Sequence, residues 1–299
     1  MKRLRAVTRV ALRRIPLPQP DPKSDKDGRG SVLIVGGSVH VPGAVLLAGV
    51  AALRAGAGKL QLASVCDAAI ALGTAVPECL VISLPQSRIG EIAGSTAVNR
   101  LREYCSSARA VLIGPGISNE RAARALTRPL TRKVGADGVL VLDAAATHGM
   151  RHEAASLRSL GGRLIMTPHA GEMAALLGVS KSSVEDDPAA VAQEASARFG
   201  AVVVLKGAAS WIAVPGGALH RYDGGNVGLA TSGSGDTLAG IIAGLAARGA
   251  PAEVAAVWGV YLHGAAGQRL ARRLGPIGFL ARELLDEIPS VLRDAARRQ

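Results

Sequence analysis

Two glycines bracket a serine and run into a carboxylate in Thr231-Ser232-Gly233-Ser234-Gly235-Asp236, and an apolar stretch follows at once. In that stretch Leu238, Ile241, Ile242 and Leu245 recur at i, i+3, i+4 and i+7, the period of an amphipathic helix. The spacing predicts a helix that begins where the glycines stop, with Asp236 at its N-terminus. Glycines let successive N–H groups turn toward one point, and the positive end of the helix dipole adds to them, which makes a seat for a phosphate. A carboxylate beside an anion seat is unfavourable unless it has work to do. Taking the proton from a hydroxyl that attacks a phosphoryl group is the work that fits. Asp is also a strong N-cap residue and Gly-Ser-Gly is common in loops, so the motif gains weight only from what lies near it.

The elements that must position these residues read as alternating strands and helices. Continuous apolar runs end abruptly at Val32-Leu33-Ile34-Val35 before Gly36-Gly37, at Val111-Leu112-Ile113 before Gly114-Pro115-Gly116, and at Val139-Leu140-Val141-Leu142 before Asp143. Leu164-Ile165-Met166 ends before Thr167-Pro168-His169, and Val202-Val203-Val204-Leu205 before Lys206-Gly207. Such runs alternating with helical patterns predict an α/β fold with a mostly parallel sheet covered on both faces. Ligands bind beyond the carboxyl ends of the strands in these sheets, so Gly36, Gly116, Asp143, His169 and Lys206 are expected on one rim. A hairpin follows, Ser210–Val214 and Leu219–Tyr222 around Pro215-Gly216-Gly217-Ala218, and then the glycine seat and two late helices. The second of these carries Val254, Val257, Trp258, Tyr261 and Leu262 on one face, which reads as core.

Individual positions carry alternatives. Lys206 directly after a buried strand needs an anion to offset its desolvation; phosphate is the expected partner, a salt bridge to a neighbouring carboxylate the alternative. Asp143 either binds a metal or phosphate or caps Ala144-Ala145-Ala146. Pro42-Gly43-Ala44 opens a helix through Leu53, where small residues admit either a flat ligand or close helix packing. The G-x-G-x-x-G spacing of a dinucleotide-binding turn is absent at Gly36-Gly37.

Composition narrows the class. The 299 residues carry a net charge of +12, yet aromatic residues are only 2% of the chain, too few for a base-stacking surface. Basic residues cluster only at Lys2-Arg3-Leu4-Arg5, Arg13-Arg14, Arg272-Arg273 and Arg297-Arg298. No nucleic-acid partner is expected, but anionic substrates are. Three cysteines, Cys66, Cys79 and Cys105, make neither an even disulfide set nor a metal pair, which suits a reducing cytoplasm. The longest uncharged run, from Ser31 to Leu53, is broken by glycines, His40 and Pro42, so no membrane span is expected. Residues 1–30 read as an arm packed on a single domain of residues 31–299.

Taken together, these segments resemble the NAD(P)H-hydrate dehydratase family of the ribokinase-like superfamily, from about Leu12 to Pro289. The carriers are Val35-Gly36-Gly37-Ser38, Pro42-Gly43-Ala44, Gly114-Pro115-Gly116, Val141-Leu142-Asp143-Ala144, Thr167–Met173, Leu205-Lys206-Gly207-Ala208, Gly228–Asp236 and Gly259–Gly264. The resemblance implies a three-layer sandwich that restores hydrated NADH or NADPH with ADP as co-substrate and Mg²⁺ assisting, releasing AMP and phosphate. It places the hydrate against Ala44, Gly116, His169 and Asp236, and the nucleotide on Lys206, Gly207, Ala208, Ala209, Ser210 and Gly235, with Asp236 taking the hydroxyl proton and the amides of Gly233, Ser234 and Gly235 holding the charge that develops on the transferred group. It also implies a homotetramer, while a companion epimerase domain is not expected ahead of so short an arm. Ala145 stands where the family usually has a second Asp, Ala170 where Pro is frequent, and Ser210 where Thr is usual. The metal ligands stay open, and a vitamin or sugar-alcohol kinase of the same fold is the alternative.

Overall fold

The computed structural model describes residues 4–296, apart from the side chain of Ser95; the basic pairs Lys2-Arg3 and Arg297-Arg298 lie outside them. The strands are β1 Leu4–Ala6, β2 Ser31–Val35, β3 Lys59–Val65, β4 Cys79–Leu84, β5 Ala110–Ile113, β6 Val139–Leu142, β7 Leu164–Met166, β8 Val202–Leu205, β9 Ser210–Ala213 and β10 Leu219–Tyr222. They form one ten-stranded sheet in the order β1-β10-β9-β8-β7-β6-β5-β2-β3-β4. From β2 to β8 every pairing is parallel; β9 and β10 run as the antiparallel hairpin that the turn residues announced. Helices surround the sheet, as its continuous apolar strands require.

The chain winds from β2 outward through β3 to β4, then returns to the other side of β2 and continues from β5 to β8. The order reverses between β2 and β5, so their carboxyl ends open a crevice at the switch point. The backbones there touch: the N–H of Gly37 donates to the carbonyl of Pro115 at 2.7 Å, and a Cβ on Gly36 would stand 2.1 Å from that oxygen. Only glycine fits.

Two helices carry the seat and the crevice wall, and small residues join them. A Cβ on Gly240 of the Ser234–Ala247 helix would lie 2.2 Å from the carbonyl oxygen of Ala48, and one on Gly244 would lie 2.4 Å from that of Ala52, both on the Gly43–Arg54 helix. The backbones therefore meet in direct van der Waals contact. With Ala239, Ile241, Ile242, Ala243 and Leu245 fully buried, the Ser234–Ala247 helix is wrapped on all sides rather than amphipathic.

Three features depart from the expected elements. β3 and β4 extend the sheet beyond β2, and β1 pairs in parallel with β10. A third late helix, Leu284–Ala296, closes the described chain and contains Pro289. Ahead of β2, Leu12 and Leu17 are buried, and the Trp258 indole donates to the Ile15 carbonyl at 2.7 Å.

Candidate active site

Gly233 adopts φ +85 and caps the Ser234–Ala247 helix, so Asp236 is its third residue. The helix starts at Ser234, inside the glycine run rather than after it. Unbranched residues at 233 and 235 allow this: a Cβ on Gly233 would meet Leu47 at 2.5 Å, and one on Gly235 would come within 3.4 Å of the Lys206 ammonium. The Ser234 N–H is turned back to the Thr231 carbonyl at 3.2 Å. Of the three amides expected to serve an anion, Gly233 to Gly235, that of Ser234 is thus engaged within the chain.

The expected rim is real. β7 and β8 continue past their ends as a bridge between His169 and Lys206, and β6 delivers Asp143 beside them. Lys206 Nζ donates to Asp143 Oδ1 at 2.9 Å and lies 3.7 Å from Glu172 Oε2. The alternative reading of Lys206 is therefore the one realised within the chain, and Asp143 is not a helix cap. Asp143 instead also accepts from the Thr167 hydroxyl at 2.7 Å. Ala144 takes the capping place of the short Ala145–His148 helix at φ 48, the sole non-glycine residue with positive φ among those described. Burial would lower the Lys206 pKa, but the charges of Asp143, Glu172 and Asp236 overcome it and hold the ammonium above its ordinary value.

Asp236 lies in the same field. Burial, reinforced by the Asp143 charge and opposed by Lys206, pushes its carboxyl up to about 7. A group poised there exchanges protons at neutral pH, as a general base must. His169 caps the Ala170–Leu177 helix, with Nδ1 accepting from the N–H of Gly171 at 3.0 Å and Glu172 at 3.3 Å. Nδ1 is thus an acceptor, which leaves Nε2 to carry the ring proton.

A cavity of ≈ 780 Å³ opens beside this cluster, lined among others by His169, Lys206, Gly207, Ala208, Ser210 and Gly235. Ala209 is not part of that lining. Ala44 and Gly116 are set together elsewhere, at the β2/β5 crevice, where a Cβ on Gly116 would stand 3.0 Å from that of Ala44. Asp143 connects the two regions, since a Cβ on Gly114 would lie 2.0 Å from its carbonyl oxygen. Reading the sequence missed two participants. Glu172 was visible only as part of a motif, although its place three residues after His169 is a capping-box spacing; its Oε2 accepts from the His169 N–H at 2.8 Å. His263, which also lines the cavity, was visible only within the Gly259–Gly264 segment, because it sits among apolar residues of the Ala252–Leu274 helix.

No cluster of three or more potential metal ligands occurs among the described residues, and Asp143 is already occupied by Lys206 and Thr167. A resident metal cage does not fit these side chains.

The reversed parallel sheet, with a glycine-capped helix and an aspartate at that helix's third position, is the fold of a ribokinase-like protein. The fold is similar to that of a ribokinase-like superfamily protein of Enterococcus faecalis, with TM-score 0.82 and 25% identity over 98% of this chain and 96% of that one. Residues 32–290 match the NAD(P)H-hydrate dehydratase family, and the chain belongs to it. It is 50% identical over 292 residues to the ADP-dependent (S)-NAD(P)H-hydrate dehydratase of Xanthomonas campestris, covering 97% of this chain and 96% of that protein. It also superposes on the ADP/ATP-dependent NAD(P)H-hydrate dehydratase of Bacillus subtilis co-crystallised with ATP and Mg²⁺, with TM-score 0.78 and 28% identity over 97% and 98% of the two chains.

Proposed function

We propose that this chain dehydrates hydrated NADH or NADPH, the S epimer, with ADP as phosphoryl donor. The observation that carries the reading is the position of the Asp236 carboxyl, in the first turn of a glycine-capped helix and in the field of Asp143 and Lys206, which agrees with a pKa raised to about 7. Hydroxide leaves poorly from the hydrated ring. Asp236 takes the proton from that hydroxyl as its oxygen attacks the terminal phosphorus of ADP, and the bond to AMP breaks. The ring nitrogen lone pair then expels phosphate, and the adjacent carbon sheds a proton to restore the double bond.

Lys206, Gly207, Ala208, Ala209 and Ser210 hold the nucleotide, with Gly235 at its phosphates, and Ala44, Gly116 and His169 hold the hydrate. In this reading a phosphate approaching Lys206 joins an ammonium that Asp143 and Glu172 have already oriented. Mg²⁺ arrives on the nucleotide's phosphates, a mode that needs few protein ligands. The family resemblance adds a homotetramer in the cytoplasm, which light scattering and cell fractionation test.

The deciding experiment incubates the protein with hydrated cofactor, Mg²⁺ and ADP or ATP in turn, following the absorbance of the reduced nicotinamide and the release of phosphate. Recovery of both with ADP is expected. A stable phosphorylated product with no recovered absorbance would mean a kinase instead.

A further inference from the structure

The seat at the start of the Ser234–Ala247 helix is not completed by backbone alone. The N–H of Ser234 is spent on Thr231, whereas its hydroxyl lies 2.9 Å from Nε2 of His263 on the neighbouring Ala252–Leu274 helix. Both side chains line the cavity that contains Lys206 and Gly235, and Ser234 is 4% exposed. A pair so placed has two arrangements, because a hydroxyl has one proton to give and a neutral imidazole one donor and one acceptor nitrogen. If Nε2 accepts, the serine proton is consumed and its lone pairs face the seat, where they repel a phosphoryl oxygen. If Nε2 carries the proton and donates it, the serine hydrogen is freed for the phosphate. An anion in the seat selects the second arrangement.

The surroundings keep the ring from becoming a cation. Burial, opposed by a hydrogen bond to the Ser234 backbone and aided by the charge of Lys206, lowers the His263 pKa to about 4. The imidazole therefore acts through its N–H alone, and Lys206 remains the cation at the seat.

We infer that His263 is a positioning residue: it donates from Nε2 to Ser234 and so aims the Ser234 hydroxyl at the nucleotide phosphate. The inference rests on the reading of the cavity as the nucleotide site, and it supplies by a side chain the donor that the Ser234 amide does not.

The test is a double-mutant cycle on ADP affinity, with Ser234→Ala, His263→Leu, both together, and His263→Gln, whose amide nitrogen replaces the Nε2 donor. Each single truncation is expected to weaken ADP binding about tenfold, the usual loss of a hydrogen bond to a charged group. The double variant is expected to be no weaker than either single one, and glutamine to restore most of the affinity. Losses that multiply in the double variant, or a glutamine no better than leucine, overturn the inference; a merely structural histidine would lower the melting temperature without this coupling. Should His263→Leu fail to fold, ¹⁵N shifts of the wild-type imidazole with ADP bound decide the matter. An Nε2-protonated ring is expected, and an Nδ1-protonated one refutes the assignment. A wild-type protein that binds ADP but leaves hydrated cofactor unchanged would remove the dehydratase reading and leave this pair standing, whereas failure to bind ADP would remove the pair.

Discussion

In the proposed reaction Asp236 couples catalysis to stability at a single carboxyl. Its pKa rises from an ordinary 3.8 to about 7 in the folded chain, so between these values the folded protein binds a proton that the unfolded chain has released. Stability is therefore highest below about pH 4 for this group and declines as pH climbs through 7. In the proposed mechanism activity runs the other way, because only the ionised form can accept the substrate proton. Asp236→Asn is expected to lower turnover by at least about a thousandfold while ADP affinity, followed by titration calorimetry, stays within a few fold. The same variant should raise the unfolding free energy at pH 8 by on the order of 2 kcal/mol, a gain that disappears near pH 4. Near-normal turnover in that variant would end the case for Asp236 as base. Lys206 sets the other limit. Replacing it with methionine leaves Asp143, Glu172 and Asp236 without their shared cation, so the lower limb of the pH–rate profile should move up by about one unit and ADP should bind more weakly. An unmoved limb and an unchanged dissociation constant would exclude Lys206 from both roles.

Asp236 and the crevice wall are held together by two helices whose contact tolerates no side chain. Gly240→Ala places a methyl against the Ala48 carbonyl, where 2.2 Å is available. The helices must separate, at a cost of about 3 kcal/mol in urea unfolding, and Asp236 moves away from Ala44 as they do. A variant as stable and active as the parent would show that this contact does not position the site. Ala144 is the opposite case: its φ of 48 with ψ of −136 is strained for any residue with a Cβ. Ala144→Gly is expected to add about 1 kcal/mol, measured by the same unfolding curves. The legibility of these elements follows from their physics. β2, β5, β6, β7 and β8 are enclosed on both faces and appear as unbroken apolar runs. β3 and β4 mix in Gln61, Ser64 and Ser83, and β4, at the sheet edge, leaves Leu80 and Ser83 exposed, so a search for continuous runs passes over them. The Leu284–Ala296 helix was hidden by Pro289, which it accommodates internally. At the site, residue types at strand ends announced Asp143, His169 and Lys206. The Lys206–Asp143 pair joins residues 63 positions apart, a distance over which no local spacing can report.

At the scale of the whole molecule, the far edge of the sheet depends on the first residues of the chain. β1 pairs with β10 through Leu4, Arg5 and Ala6, so β10 is covered only while those residues are in place. Val7, Leu12 and Leu17 are buried against the body, Ile15 accepts from the Trp258 indole, and the Pro18 carbonyl accepts from Arg248 at 3.0 Å. Arg248 caps the carboxyl end of the Ser234–Ala247 helix, so the segment is bound to the end of the same helix whose start holds Asp236. We therefore propose that residues 4–30 are an integral part of the domain. Deleting residues 1–18 removes three buried apolar side chains, each worth about 1.5–3 kcal/mol when fully buried, and leaves the indole without an acceptor at about 1 kcal/mol or more. The loss should approach or exceed 5 kcal/mol, a large part of the stability of a domain. The truncated protein is therefore expected to melt well below the parent. The uncovered β10 edge should add a concentration-dependent tendency to associate, visible by light scattering. Leu12→Ala separates the two effects, because it removes core volume while leaving the β1–β10 ladder intact; it should lower stability by about 3 kcal/mol without any association. A truncated chain that melts and sediments like the parent would show the segment to be an appendage, and the domain to begin at β2.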